Sequence, residues 1–194
     1  MVKRIIYLNV GFTNHKYEPN LIHMKKAIEK TIVLTGMMGV GKTHIGRLLA
    51  KKMGVSFVDS DEMVVQKAGM GIQEIFEKFG EGKFREVEHK TIMELLERPP
   101  CVLSIGGGAL GNPQTLNALK TRTTLVWIDV PLDVIWERVK DCKHRPLLQT
   151  DNPCEKLKSL ISERTPFYEQ AHLRVKNDTH DVRKAIDDII KALS

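Results

Sequence analysis

The segment Gly36-Met37-Met38-Gly39-Val40-Gly41-Lys42-Thr43 has the spacing G-x-x-x-x-G-K-T. Glycines at these positions let successive backbone N–H groups turn inward toward phosphate oxygens. A helix starting near Lys42 adds its positive N-terminal end. Lys42 is placed to reach the β- and γ-phosphates, and the Thr43 hydroxyl suits Mg²⁺. The flanks fit as well. Thr31 to Thr35 is a short apolar, β-branched run that reads as a buried strand, and Ile45, Leu48, Leu49 and Met53 follow at helical spacing. The chain is therefore expected to hold a nucleoside triphosphate on Gly39, Val40, Gly41, Lys42, Thr43 and His44. The loop alone leaves the acceptor open, because switch GTPases, transport ATPases and small-molecule kinases share it.

Downstream, short apolar runs alternate with helical patterns. Strands are expected at Ser56 to Val58, Cys101 to Ile105, Thr123 to Val130 and His172 to Val175. Helices are expected at Asp61 to Lys67, Ile72 to Phe79, Gly82 to Glu97, Asn112 to Lys120, Cys154 to Gln170 and Asp181 to Leu193, with Gly69, Gly71 and Gly80 as breaks. Such alternation implies a parallel sheet covered on both faces, an α/β fold of three layers. Residues 31–194 read as one domain. Residues 1–30 read as an N-terminal extension, with a short strand over Val2 to Val10 and a helix over Leu21 to Lys30. The alternatives are a functional start at Met24 and a targeting peptide.

The acceptor side is sought in the remaining polar residues. Asp59-Ser60-Asp61 stands at the carboxyl end of the second strand, where open parallel sheets bind ligands, and strand alternation is expected to place the two aspartates on one side. One carboxylate can support Mg²⁺ through water, and the other can accept a hydroxyl proton. The competing reading is a helix cap at Ser60 or Asp61. Glu88 can hold Arg85 by an i, i+3 pairing, the competing reading being a solvated surface arginine. Gly106-Gly107-Gly108 permits close backbone approach to a ligand, or is a plain turn. Arg138, Arg145 and Arg164 complete the set. Arg145 lies in a polar loop of about residues 141–153, a mobile lid that brings positive charge to the transferring phosphoryl group. Fixed guanidinium groups suit an acidic acceptor.

The order of these motifs resembles the shikimate kinase family over about residues 31–190. The carrying residues are Gly36 to Thr43, Asp59-Ser60-Asp61, Phe84-Arg85 with Glu88, Ser104 to Ala109, Arg145-Pro146-Leu147-Leu148, and Arg164 with Tyr168. The resemblance implies a P-loop kinase fold with a five-stranded parallel sheet of order 2-3-1-4-5. It implies ATP and Mg²⁺ as cofactors, and transfer of the γ-phosphoryl group to the 3-hydroxyl of shikimate in aromatic amino acid biosynthesis. It assigns Asp61 to the ring hydroxyls and to the base, and Asp59 with Thr43 to Mg²⁺. Arg85 and Arg164 clamp the carboxylate, with Gly107 adding an N–H among Gly106 to Gly108. Phe76 and Phe84 wall the pocket, Arg145 serves the lid, and Arg138 packs on adenine. Two features depart from the pattern: the N-terminal extension, and Met37-Met38 inside the loop. The alternatives are a gluconate-kinase-like enzyme and a non-catalytic nucleotide-binding module.

Composition bounds the partners. The chain has 194 residues and a formal net charge of +6, yet no run of five basic residues, so nucleic acid is not expected. No apolar run approaches the ~20 residues of a membrane span. The cysteines, Cys101, Cys142 and Cys154, are odd in number and lack CxxC spacing. Reduced thiols in a cytoplasmic monomer are the expectation.

Overall fold

The computed structural model describes residues 28–142, 145–177 and 182–193. The expected strand over Val2 to Val10 and most of the helix over Leu21 to Lys30 lie outside the described residues. Residues 28–30 are not helical, which corrects the end of that helix. Ile28 instead packs, half-buried, against the core.

Five strands form one parallel sheet of order β2-β3-β1-β4-β5, as expected. They are β1 (Ile32–Thr35), β2 (Phe57–Asp59), β3 (Val102–Ser104), β4 (Thr124–Asp129) and β5 (Leu173–Lys176). Central β1 pairs Ile32 with Val102 on one side and with Thr124 on the other. The seven helices are α1 (Lys42–Met53), α2 (Ser60–Ala68), α3 (Ile72–Leu96), α4 (Pro113–Arg122), α5 (Leu132–Val139), α6 (Pro153–Tyr168) and α7 (Val182–Leu193) among the described residues.

Strand side chains alternate between faces, so a sheet covered twice is apolar at both parities. Ile32, Leu34, Val126 and Ile128 join Ile45, Leu49, Ile186 and Ile189 in one buried layer. Val33, Leu103, Leu125 and Trp127 join Ile92, Leu95, Leu119 and Tyr168 in the other. This is the three-layer arrangement that the alternating pattern implies.

Three local differences shape the site. The helices expected on either side of Gly80 run together as α3, bent where Gly80 adopts φ 78° and ψ 168°. Left-handed φ of this kind is open to glycine, which explains both the kink and the residue. Next, α2 begins at Ser60, and its N-cap is Asp59 rather than Ser60 or Asp61. Asp59 Oδ1 accepts from the Asp61 N–H at 3.0 Å. The two aspartates are thus brought together by a helix cap and not by strand alternation. Finally, the expected lid contains a short 3₁₀ turn, Pro146–Leu148. Leu148 is buried in the core, which roots this segment to the domain.

Candidate active site

The loop joining β1 to α1 carries positive φ at Gly36, Gly39 and Gly41, at 134°, 79° and 94°. Side chains are strained at such angles, so glycine is required for the amide-lined turn. Val40 is buried in the core, leaving only its backbone for a ligand. Arg138 Nη1 donates to the Gly39 carbonyl at 3.1 Å, bracing the loop from α5. His44 is exposed on the first turn of α1. Asn177, which the sequence reading passes over, is buried and donates from Nδ2 to the Val40 carbonyl at 3.3 Å.

Lys42 Nζ donates to the carbonyls of Gly36 and Met37 at 2.8 and 3.0 Å. Burial lowers its pKa to about 8, while Asp61 and Asp59 pull the other way. Thr43 Oγ1 donates to Asp59 Oδ2 at 2.9 Å. A hydroxyl and a carboxylate joined beside the phosphate loop form an all-oxygen donor set of the kind Mg²⁺ takes. Two protein oxygens fit an ion that completes its shell with phosphate and water. Among the described residues no group of three or more His, Cys, Asp or Glu could hold a metal by itself.

Beyond the loop opens a pocket of about 150 Å³. It brings together Asp61, Phe76, Phe84, Arg85, Glu88, Gly106, Gly107, Gly108, Arg145 and Arg164. These come from α2, α3, the turn after β3, the residue before the Pro146–Leu148 turn and α6, so the acceptor residues read from the sequence converge. Pro146 and Leu147 line it as well, from the motif that follows Arg145, and so does Ile72, which carries no motif that marks it in advance. The rings of Phe76 and Phe84 meet with centroids 4.9 Å apart.

Arg85 is fixed from two sides. Its Nη1 donates to Glu88 Oε2 at 2.8 Å, the i, i+3 pairing expected. Its Nε and Nη2 donate to Glu81 Oε1 at 3.2 and 2.9 Å. Glu81 stands one helical turn earlier, so the i, i+4 spacing could have exposed it. Arg164 is 7% exposed and, among the described residues, makes no ion pair with a carboxylate. A buried guanidinium of this kind has donors to offer a bound acid.

Each glycine of the triple turn has its own reason. A methyl group on Gly108 would sit 2.6 Å from Arg85 Cζ, so the guanidinium lies flat on a bare backbone. One on Gly107 would meet the Gly36 carbonyl oxygen at 3.1 Å. One on Gly106 would overlap Glu88 Oε1 and lie 3.1 Å from Asp61 Oδ1. Neither of those oxygens has a hydrogen-bond partner in the protein, though both are buried.

Asp61 keeps some solvent contact, but its Oδ1 is enclosed. Burial, then the charges of Glu88 and Asp59, raise its pKa from 3.8 to about 7, against Lys42 and Arg85. Glu88 is likewise pushed up by burial, although Arg85 opposes the shift. In the unfolded chain Asp61 ionises near 3.8, so ionising it opposes folding increasingly as pH rises toward about 7. Replacing it by asparagine removes that cost. Asp61→Asn is expected to raise the thermal unfolding midpoint of the ligand-free protein at pH 8, with a much smaller change at pH 4. Equal changes at both pH values would contradict the burial of this carboxylate.

Comparison with known proteins agrees with this geometry. The family model described as shikimate kinase matches residues 38–194. A protein of Ruegeria pomeroyi named shikimate kinase is 43% identical over 169 residues, covering 87% of each chain. Among solved structures, shikimate kinase from Acinetobacter baumannii in complex with shikimate superposes with a TM-score of 0.82 at 38% identity, covering 84% of this chain and 92% of that one. Shikimate kinase from Aquifex aeolicus gives 0.75 at 38% identity, covering 84% and 95%. With the family model and these relatives spanning most of its length, the chain belongs to the shikimate kinase family.

Proposed function

We propose that this enzyme transfers the γ-phosphoryl group of ATP to the 3-hydroxyl of shikimate, yielding shikimate 3-phosphate for aromatic amino acid biosynthesis. The observation that carries the reading is one pocket holding Asp61 together with the guanidinium groups of Arg85 and Arg164, next to Lys42. An acceptor for such a pocket bears a carboxylate and, across a small ring, a hydroxyl. Gluconate shares that logic but is an open chain. AMP carries a nucleoside and a doubly charged phosphate, an extended negative charge that calls for more arginines around the acceptor.

The division of labour follows from the chemistry. Lys42 and the loop amides bind the phosphates, and Arg138 lies beside the adenine. Thr43 and, through water, Asp59 would hold Mg²⁺, which would supply positive charge against the triphosphate. Arg85 and Arg164 hold the acid, and the Gly107 N–H adds a hydrogen bond. Asp61 orients the attacking hydroxyl and takes its proton. A carboxylate that titrates near 7 is matched to that role at neutral pH. Arg145, on the lid of about residues 141–153, meets the charge that develops on the transferring group. The same reading makes residues 31–194 one kinase domain that acts in the cytoplasm as a monomer.

Purified protein with Mg-ATP is expected to release ADP with shikimate and not with gluconate or AMP. ADP release with gluconate or AMP alone would overturn the reading. Unchanged ATP consumption in Asp61→Asn would favour a binding module instead. Arg145→Ala is expected to lower turnover by about 10³-fold. Arg85→Lys keeps a charge for Glu88 but loses the planar fork, and should raise the shikimate KM by about tenfold or more with the ATP KM held within about twofold. Gly108→Ala, which displaces the same guanidinium, should do likewise. Normal turnover in Arg145→Ala would refute the lid assignment.

A further inference from the structure

Met37 belongs to the phosphate loop by its backbone and to the acid clamp by its side chain. Its carbonyl accepts from Lys42 Nζ at 3.0 Å. Its side chain is 3% exposed and passes away from the phosphates toward α6. There the Sδ lies 3.9 Å from Arg164 Nη1 and 3.8 Å from Tyr168 Oη.

Proton accounting separates these two contacts. Tyr168 has a single hydroxyl hydrogen, and Oη donates it to the Gly107 carbonyl at 2.5 Å. The phenol stays protonated, since burial raises its pKa to about 12. The thioether, a weak acceptor, is then left with Arg164 as its donor. Arg164, in turn, makes no ion pair with a carboxylate among the described residues, and the charge of Glu88 reaches it only beyond contact distance, so its direct contacts at Met37 and Tyr168 set its aim. The two half-sites also touch through their backbones, where Gly107 packs on the Gly36 carbonyl. A chain of contacts thus runs from Lys42 through the Met37 backbone and side chain to Arg164, and from Tyr168 to the triple-glycine turn.

We propose that Met37 is a positioning residue through which the phosphate loop sets the aim of Arg164, so that nucleotide on the loop and acid on the clamp bind cooperatively. A loop drawn onto phosphates moves or stiffens Met37, and Arg164 rests on Met37. Linkage makes the effect reciprocal, so bound acid tightens nucleotide by the same factor. This inference rests on the acid-phosphorylating function proposed above.

Calorimetric titration with shikimate, with and without saturating Mg-ADP, tests it. In the unaltered protein Mg-ADP is expected to tighten shikimate by about fivefold or more. Met37→Ala leaves a gap beneath Arg164 and should bring that ratio to within about twofold of one. Met37→Leu keeps the volume and should retain most of the ratio. Should Met37→Ala fail to fold, Met37→Val, which also ends short of Arg164, takes its place with the same expectation. A Met37→Ala protein that binds both ligands more weakly yet keeps the ratio would show a merely structural role and overturn the proposal. So would an unaltered protein that binds shikimate equally with and without nucleotide, although the proposed function would then stand. No shikimate binding at all would overturn both.

Discussion

Six ionisable side chains are withdrawn from water around one pocket, and the rest of the structure answers to that constraint. Lys42, Arg85 and Arg164 face Asp59, Asp61 and Glu88. Burial is the largest influence on Lys42, Asp61 and Glu88, pushing each toward its neutral form. Opposite charges recover part of that cost where Arg85 pairs with Glu88, and removing one member of such a buried pair typically costs about 3–5 kcal/mol. Asp61, by contrast, makes no ion pair among the described residues and remains a net cost when ionised. The group therefore behaves as a set. Glu88 is held by Arg85, Arg85 is aligned by Glu81, and Asp59 is tied to Thr43 and to the first turn of α2. The triple-glycine turn belongs to the same constraint, because side chains there would displace these groups.

The fold serves the site by bringing strand ends together. β1 and β3 are neighbours at the centre of the sheet. The phosphate loop leaves one and the triple-glycine turn leaves the other, so Gly36 and Gly107 meet backbone to backbone. Donor and acceptor halves are then adjacent without any long side chain to span them. The segment around the Pro146–Leu148 turn, proposed as the lid, shares this economy. Leu148 is buried in the core while Arg145, Pro146 and Leu147 line the pocket, which gives the segment a fixed root and a working edge.

Much of this was legible in the sequence because it is written at short range. The loop from Gly36 to Thr43, the pairing of Arg85 with Glu88 and the apolar strand runs are local patterns. The order of motifs then matched a family whose sheet order the structure shares. What escaped is long-range or depends on atoms no spacing reports. Nothing in Asp59-Ser60-Asp61 says which residue caps the helix. Tyr168 reaches Gly107 across 61 residues, and Asn177 reaches Val40 across 137. The aspartates were expected to converge through strand alternation, but a helix cap accomplishes it. Glu81 was within reach of the i, i+4 rule, and the kink at Gly80 just before it hid the shared helix face.

The central claim is that one small pocket holds an acid at its arginines and a hydroxyl at its aspartate, beside the phosphate loop. A crystal structure with shikimate and Mg-ADP bound tests it most directly. The shikimate carboxylate is expected on the guanidinium groups of Arg85 and Arg164, with a ring hydroxyl within hydrogen-bond distance of Asp61, facing the β-phosphate held by Lys42. A carboxylate that touches neither arginine, or an acid bound with its hydroxyls turned away from Asp61, would contradict it.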